Sequence, residues 1–248
     1  MFFHRNAILI VHGFGGGVYD LEYLSKMLEL KTNYDVYTYT LPGHSGESTD
    51  KITYKDWIKR SEEMMEFLIE NKYKNITVMG HSMGGMIATY LAGKYKKNVN
   101  KLVLIAPAFT VTGQKDEKLD VKKVIKEFPK VYDQYGFKFL MAKVKKLPIN
   151  FYGEFLELNK KYQDTPKDVI APTLLIWGDN DQVVPLAYSN KLIKKFKNAE
   201  TKIIVFKDGT HDIFGEFVKE KAAEYVIDFV KKTKNMYKFP EYVQIEKK

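Results

Sequence analysis

Ser82 lies in the sequence G-H-S-M-G, which directly follows the apolar run 76–79. Glycines two positions before and after the serine, Gly80 and Gly84, allow a strand and the next helix to pass close together at a sharp turn. At the tip of such a turn the serine hydroxyl projects into a cleft, and the N–H of Met83 faces the position of a developing oxyanion. The pattern therefore predicts a nucleophilic serine, with Met83 as one oxyanion donor.

Candidate partners for this serine follow two later apolar runs, 173–177 and 202–206. The first run leads into Asp179 and Asp181, and the second is followed by His211. In an open sheet of parallel strands, active sites lie at the carboxyl ends of the strands. A carboxylate there can orient a histidine, which takes the proton from the serine hydroxyl. Taken singly, either aspartate is also typical of a turn, and His211 of a polar surface.

A glycine-rich loop, H-G-F-G-G-G, follows the first apolar run, 7–11. Glycines let such a loop approach a ligand closely, which makes the N–H of Phe14 a candidate for the second oxyanion donor beside Met83. A plain strand-to-helix turn is the alternative interpretation. A further histidine, His44, lies in the turn-rich sequence L-P-G-H-S-G-E-S. We favour His211 as the base, because His44 is fixed in a loop that precedes the nucleophile.

The composition of the 248 residues, 45% hydrophobic and 29% charged, is typical of a soluble enzyme with one core. The chain has no cysteine, which excludes a thiol nucleophile, a disulfide and a thiolate metal site. The net charge is +9, but all except two of the 40 basic residues are lysine, which disfavours bidentate recognition of phosphates or guanine bases. We expect solvated lysine faces, no nucleic-acid partner and at most a weak membrane-surface association.

Two stretches bear on the location of the protein. The apolar run 7–11 is too short for the core of a signal peptide. The uncharged stretch 75–93 approaches the length of a membrane span, but its four glycines and its polar residues favour a buried strand and helix. The sequence therefore predicts a cytoplasmic protein.

Apolar runs alternate with amphipathic stretches along the chain, which predicts a parallel sheet with right-handed crossovers and helices on both faces. The continuous aliphatic runs are typical of strands buried on both sides. The predicted strands are 7–11, 34–40, 76–79, 101–105, 173–177 and 202–206. Besides the helix after Ser82, the predicted helices are 19–30, 57–71, 118–127, 132–146, 152–161 and 214–231, followed by a surface tail, 232–248.

The motifs H-G-F-G-G, L-P-G-H-S-G-E-S and G-H-S-M-G-G, in this order and spacing, resemble those of the α/β-hydrolase superfamily. The resemblance covers nearly the whole chain and is closest to compact bacterial carboxylesterases and monoacylglycerol lipases. It implies the α/β-hydrolase fold, with a mostly parallel sheet of about six strands. The chain departs from the family in one respect: only six residues precede Ala7, so we expect the usual N-terminal pair of antiparallel strands to be missing. The resemblance also implies a hydrolase core formed by 1–108 and 171–248, with a small helical cap, 109–170.

The resemblance also assigns site residues. The family pattern G-x-x-D-x-x-V-P places the acid at Asp181 rather than Asp179, and the order Ser82, Asp181, His211 is the one expected of this architecture. The aromatic-rich cap implies an apolar roof over the serine, although any single aromatic residue there is more typical of the cap's own core. The residues expected to contact substrate are Gly13, His81, Phe109, Phe137 and Val183.

These assignments predict a serine hydrolase that cleaves carboxylic esters through an acyl-enzyme on Ser82, with no metal or organic cofactor. The predicted substrates are small-molecule esters of short to medium chain length, monoacylglycerols included. The same triad serves thioesterases, C–C bond hydrolases, acyltransferases and amidases, so these alternatives stay open at this point. A non-enzymatic small-molecule receptor that retains the triad is a further alternative.

Overall fold

The computed structural model describes residues 5–45, 51–111 and 150–245, and the backbone of 114–115 and 118–119. The predicted helix 132–146 and Phe137 lie outside these residues. The predicted helix 118–127 is wrong at its start, because Lys118–Leu119 is a short strand paired with Gln114–Lys115.

A parallel sheet of seven strands forms the centre of the described chain. The strands in chain order are β1 Arg5–Val11, β2 Asp35–Tyr39, β3 Tyr73–His81, β4 Val99–Ile105, β5 Gln114–Lys115, β6 Lys118–Leu119, β7 Thr173–Gly178, β8 Thr201–Phe206 and β9 Tyr242–Val243. The sheet order is β2-β1-β3-β4-β7-β8-β9, with β5 and β6 forming a separate antiparallel pair. Every neighbouring pair in the large sheet is parallel, so the predicted fold class is confirmed.

Helices cover both faces of this sheet. They are α1 Glu22–Lys31, α2 Tyr54–Glu70, α3 Met83–Lys94, α4 Asn150–Tyr162, α5 Ser189–Ile193 and α6 Lys219–Lys231. Side chains of a strand alternate between the two faces, and β1 shows the result: Leu9 packs in the core beside α2 and α3, whereas Ile8 and Ile10 pack in the core beside α1 and α6. The two-sided burial explains why β1 is a continuous aliphatic run.

The C-terminal segment is not a surface tail. Met236, Phe239 and Val243 are buried, and β9 pairs with Val205 and Phe206 of β8. The prediction of a tail was wrong because a two-residue strand is too short to produce a hydrophobic period, and lysines surround the few apolar residues that pack.

Loops that follow β1, β3, β7 and β8 all emerge at the carboxyl edge of the sheet, where parallel strands end together. The helix α4 packs against α2 and α3. This arrangement brings the predicted site residues to one edge and places α4 beside them. The predicted division into a core and a cap stays a prediction, because 120–149 lie outside the described residues.

Candidate active site

The turn between β3 and α3 holds Ser82 in a strained conformation, with φ 53° and ψ −120°. A positive φ is costly for a residue with a side chain and persists only where the surroundings enforce it. A Cβ at Gly80 would lie 2.1 Å from the carbonyl oxygen of Gly84, and one at Gly84 would lie 2.3 Å from that of Val11. Both positions therefore require glycine, as the sequence predicted.

Three main-chain hydrogen bonds hold the turn in place. The N–H of Ser82 donates to the carbonyl of Ile105 at 2.9 Å, and the carbonyl of Ser82 accepts from Gly85 at 2.9 Å and from Ala108 at 3.0 Å. Two of these partners belong to β4 and the segment that follows it. The neighbouring strand therefore offsets the strain at the serine.

Asp181 and His211 form a direct hydrogen bond, with Nδ1 of His211 2.8 Å from Oδ2 of Asp181. The other carboxylate oxygen of Asp181 accepts from the N–H groups of Val183 and Val184, both at 2.8 Å. The Asp181 side chain is buried, and these contacts fix its orientation. Because the carboxylate is an acceptor, Nδ1 of His211 carries the proton, and in the neutral ring Nε2 carries the lone pair that a base needs.

The second aspartate of the same loop has a different environment. One carboxylate oxygen of Asp179 accepts from the N–H of Asp208 at 2.7 Å, and the other accepts from the hydroxyl of Tyr242. Asp179 therefore joins the loop after β7 to the loop after β8 and to β9. The structure brings Asp181, and not Asp179, to His211.

The loops that carry the serine and the histidine are in contact. Nε2 of His81, the residue before Ser82, lies 3.0 Å from the carbonyl oxygen of His211, and the two imidazole rings are 4.7 Å apart between centroids. The loop after β1 meets the same point, because a Cβ at Gly13 would lie 3.1 Å from Nδ1 of His81 and 3.2 Å from Cβ of Ser82. Three separate loops thus converge on the serine.

His12 is a site residue that the sequence analysis missed. Its Nδ1 lies 2.8 Å from the carbonyl oxygen of Gly13, and its Nε2 accepts from the N–H of Leu41 at 2.9 Å, so the proton is on Nδ1. The N–H of Gly16 donates to the same Gly13 carbonyl at 3.1 Å. In a trans peptide C=O and N–H point in opposite directions, so two donors on this carbonyl direct the N–H of Phe14 to the other side.

The side chain of Phe14 lies in a cluster of aromatic rings. Its ring centroid is 5.6 Å from that of Phe155 and 6.4 Å from that of Tyr152, both on α4. It is also 6.4 Å from Trp57 on α2 and 6.1 Å from His44. The proposed oxyanion loop is thus packed directly against α4, and the Phe14 ring is surrounded by aromatic rings.

His44 lies in this cluster and contacts neither aspartate of the β7 loop in the described part of the chain. Its Nδ1 donates to the carbonyl of Pro42 at 3.2 Å, and Nε2 is buried without a hydrogen-bond partner among the described residues. Burial lowers the pKa of His44 to about 4, so the ring is neutral at neutral pH. The structure therefore gives His44 no geometry for the base of this site.

The predicted substrate contacts fall into two groups. Gly13 and His81 lie beside Ser82, as described above, whereas Phe109 is buried and Val183 is half-buried next to Asp181. Phe137 lies outside the described residues. Their roles toward substrate stay a prediction.

Asn159 on α4 is a second residue that the sequence analysis missed. Its buried side-chain amide donates to the carbonyls of Ala108 at 2.9 Å and Phe109 at 3.1 Å. Asn159 thereby joins α4 to the segment that leaves β4 near the serine. In the described ranges, no three histidine or acidic side chains are grouped as a metal site, and no helix has the length and apolarity needed to span a membrane.

Profiles of known families match the sequence of this chain. The sequence profile of a family described as alpha/beta hydrolase fold matches residues 6–143, which is more than half of the chain. A second profile, described as serine aminopeptidase, S33, matches residues 122–217.

Individual relatives are similar over nearly the whole chain. Monoacylglycerol lipase ABHD6 of Homo sapiens is 27% identical, over 94% of this chain and 77% of its own length. Among solved structures, one described as LipS and LipT, two metagenome-derived lipolytic enzymes, has a TM-score of 0.72 at 20% identity and covers 92% of this chain and 94% of its own. The monoacylglycerol lipase of Paleococcus ferrophilus has a TM-score of 0.67 at 19% identity, over 90% of this chain and 93% of its own.

Proposed function

The chain belongs to the α/β-hydrolase fold family, and from this premise we propose that it is an esterase/lipase-type serine hydrolase that cleaves carboxylic esters. In this proposal Ser82 is the nucleophile, His211 is the general base and Asp181 orients the base. The observation that carries the proposal is the 2.8 Å hydrogen bond between Asp181 and Nδ1 of His211, on a loop that contacts the residue before the strained serine.

The proposed reaction passes through an acyl-enzyme. Oγ of Ser82 attacks the ester carbonyl carbon while Nε2 of His211 takes the hydroxyl proton, and the N–H groups of Phe14 and Met83 stabilise the resulting oxyanion. Collapse of this intermediate breaks the bond to the alcohol, which leaves with the proton from His211. A water molecule then gives one proton to His211 and attacks the acyl carbon. When the bond from this carbon to Oγ of Ser82 breaks, His211 returns the proton to Oγ and the acid is released.

The proposed substrates are soluble monoesters with short to medium acyl chains, monoacylglycerols included. The rings of Phe14, Tyr152 and Phe155 support an apolar surface next to the oxyanion loop. Each buried methylene of an acyl chain adds about 0.8 kcal/mol of favourable transfer free energy until the apolar surface ends. The names of the relatives described above, which include monoacylglycerol lipases, also favour this class.

A hydrolysis screen with a nucleophile variant tests the proposal. Wild-type protein and Ser82→Ala are assayed on aryl esters of increasing chain length, monoacylglycerols, triacylglycerol emulsions and acyl-CoA thioesters. We expect ester hydrolysis by the wild type, loss of several orders of magnitude in kcat for the variant, and fluorophosphonate labelling of the wild type alone. Activity confined to acyl-CoA would replace the proposal with a thioesterase, and labelling without turnover of any ester would favour a receptor.

A further inference from the structure

Glu216 lies five residues after His211 and contacts the residue that precedes the histidine. One carboxylate oxygen of Glu216 accepts from the N–H of Thr210 at 3.0 Å, and the other accepts from the hydroxyl of Thr210. The same hydroxyl accepts from the N–H of Asp212 at 3.3 Å. Glu216 therefore contacts the residue before His211 directly and the residue after it only through the Thr210 hydroxyl.

We propose that Glu216 is a positioning residue that holds the loop of His211 in register with Asp181 and Ser82. The proposal rests on the function proposed above. The ring of His211 is bonded to Asp181 and its carbonyl to His81. Glu216 holds the loop through the preceding residue, Thr210.

Small displacements of this loop would matter for the proposed base, because misplacement of a catalytic group by about 1 Å costs about 100-fold in rate. Main-chain hydrogen bonds hold the loop on both sides: the N–H of Asn180 donates to the carbonyl of Gly209 and the N–H of Gly215 to that of Asp212, both at 3.0 Å. The bidentate contact of Glu216 adds a side-chain anchor at Thr210, the residue next to the base.

The carboxylate of Glu216 is half-buried on the loop of His211. Burial raises its pKa, the two bonds from Thr210 lower it, and the negative charges of Asp212 and Asp181 raise it further. The contact with Thr210 therefore stabilises the charged form of Glu216, whereas burial disfavours it.

Two substitutions at this position, with a matched control, test the proposal on the full-length chain. Glu216→Ala removes both bonds, Glu216→Gln keeps the length and one acceptor oxygen, and Glu220→Ala removes an exposed carboxylate one turn further along. With one soluble ester, we expect Glu216→Ala to lower kcat about 10- to 100-fold with KM within about twofold. Glu216→Gln should recover most of kcat, and Glu220→Ala should behave as wild type.

The split between kcat and KM distinguishes positioning from a purely structural role. Loss of folded protein would lower the amount of active enzyme, whereas a displaced base lowers kcat in protein that is fully folded. Equal kcat in folded Glu216→Ala and wild type would overturn the proposal.

A readout without turnover separates this proposal from the proposed function. The proton on Nδ1 of His211 is observed by NMR and identified by its loss in His211→Asn, and its exchange with water should be faster in Glu216→Ala. If the wild type hydrolyses no ester, the proposed function fails while this exchange measurement still tests the anchor. Unchanged exchange in a folded variant would overturn the positioning role. Should Glu216→Ala not fold, Thr210→Val, which removes the hydroxyl end of the contact, is measured in the same way with the same two outcomes.

Discussion

Nε2 of His81 donates a hydrogen bond of 3.0 Å to the main-chain carbonyl of His211. A carbonyl oxygen can only accept a hydrogen bond, so Nε2 of His81 must carry a proton. His81 precedes Ser82 in the chain, and the bond therefore joins the turn of the proposed nucleophile to the loop of the proposed base. This relationship supports a positioning role for His81, whose substrate contact stays a prediction.

We expect His81→Ala to lower kcat about 10- to 100-fold while KM changes less than about threefold, because the base is no longer held in register with the nucleophile. A substrate contact would instead raise KM and leave kcat near the wild-type value. Steady-state kinetics on one soluble ester distinguish these results. His81→Gln, whose side-chain amide reaches the position of Nε2, is the matched control and should retain more activity than His81→Asn.

The two aspartates of the β7 loop form a matched pair for testing the acid. Asp181→Asn should lower kcat by about 10⁴-fold, because an amide facing Nδ1 favours the wrong tautomer of His211. Asp179→Asn should leave kcat nearly unchanged and lower the free energy of unfolding by about 1 kcal/mol, since it weakens contacts with Asp208 and Tyr242. The measurements are kcat and urea unfolding for both variants, and a reversed order in kcat would mean that the acid is misassigned.

His12 provides a test of the oxyanion loop. Loss of one oxyanion donor lowers kcat about 10²- to 10³-fold. A variant in which the N–H of Phe14 is present but misdirected should lose part of this factor. We expect His12→Asn to retain more activity than His12→Gln, because the Asn amide reaches the position of Nδ1, which holds the Gly13 carbonyl. Equal kcat values for the two variants would argue against the orientation of Phe14 through this carbonyl.

Buried His44 should make stability depend on pH. Its pKa is lowered by burial to about 4 in the folded chain, against 6.5 as the ordinary value. Because the unfolded chain binds the proton more readily, the stabilisation is complete above pH 6.5 and is lost as the pH falls toward 4. The loss over this window is roughly 3 kcal/mol. In urea unfolding at several pH values, His44→Phe should show a shallower decline than wild type, and parallel curves would contradict the assignment.

The nucleophile turn was predictable from the sequence because its requirements are local. Gly80 and Gly84 lie two residues before and two residues after Ser82, and the close approach of strand and helix at this turn requires glycine at both positions. The aliphatic runs identify the strands beside the turn. The choice of Asp181 over Asp179 came from the resemblance to the family pattern G-x-x-D-x-x-V-P, since the residues alone left both aspartates open. For the turn, by contrast, one segment of sequence contains the physical reason.

The residues that were missed act on main-chain groups of other residues. His12 orients the Gly13 carbonyl, Glu216 holds Thr210, and Asn159 holds two carbonyls about fifty residues earlier. The side-chain type alone does not indicate such a contact, since His, Glu and Asn are common on surfaces. The strand β9 was missed for a related reason, because its pairing depends on β8.

The ring of Phe14 offers a test of the acyl-chain preference. Phe14→Ala retains the main-chain N–H that we propose as an oxyanion donor and removes the ring that contacts Tyr152 and Phe155. We expect kcat/KM to change less than about threefold for an acetyl ester and to fall at least about tenfold for an octanoyl ester, since the longer chain loses apolar contact. The measurement is kcat/KM across a series of aryl esters at one pH and salt concentration.

A matched control and a contrary outcome complete this test. Phe67→Ala removes a half-exposed ring on α2 that contacts Tyr37, so it should alter the whole ester series by the same small factor. An equal loss for acetyl and octanoyl esters in Phe14→Ala would show that the ring supports the oxyanion loop and does not contact the acyl chain. A chain-length dependence confined to Phe14→Ala would instead identify this ring as part of the acyl surface, because only the contribution of buried methylenes grows with the chain.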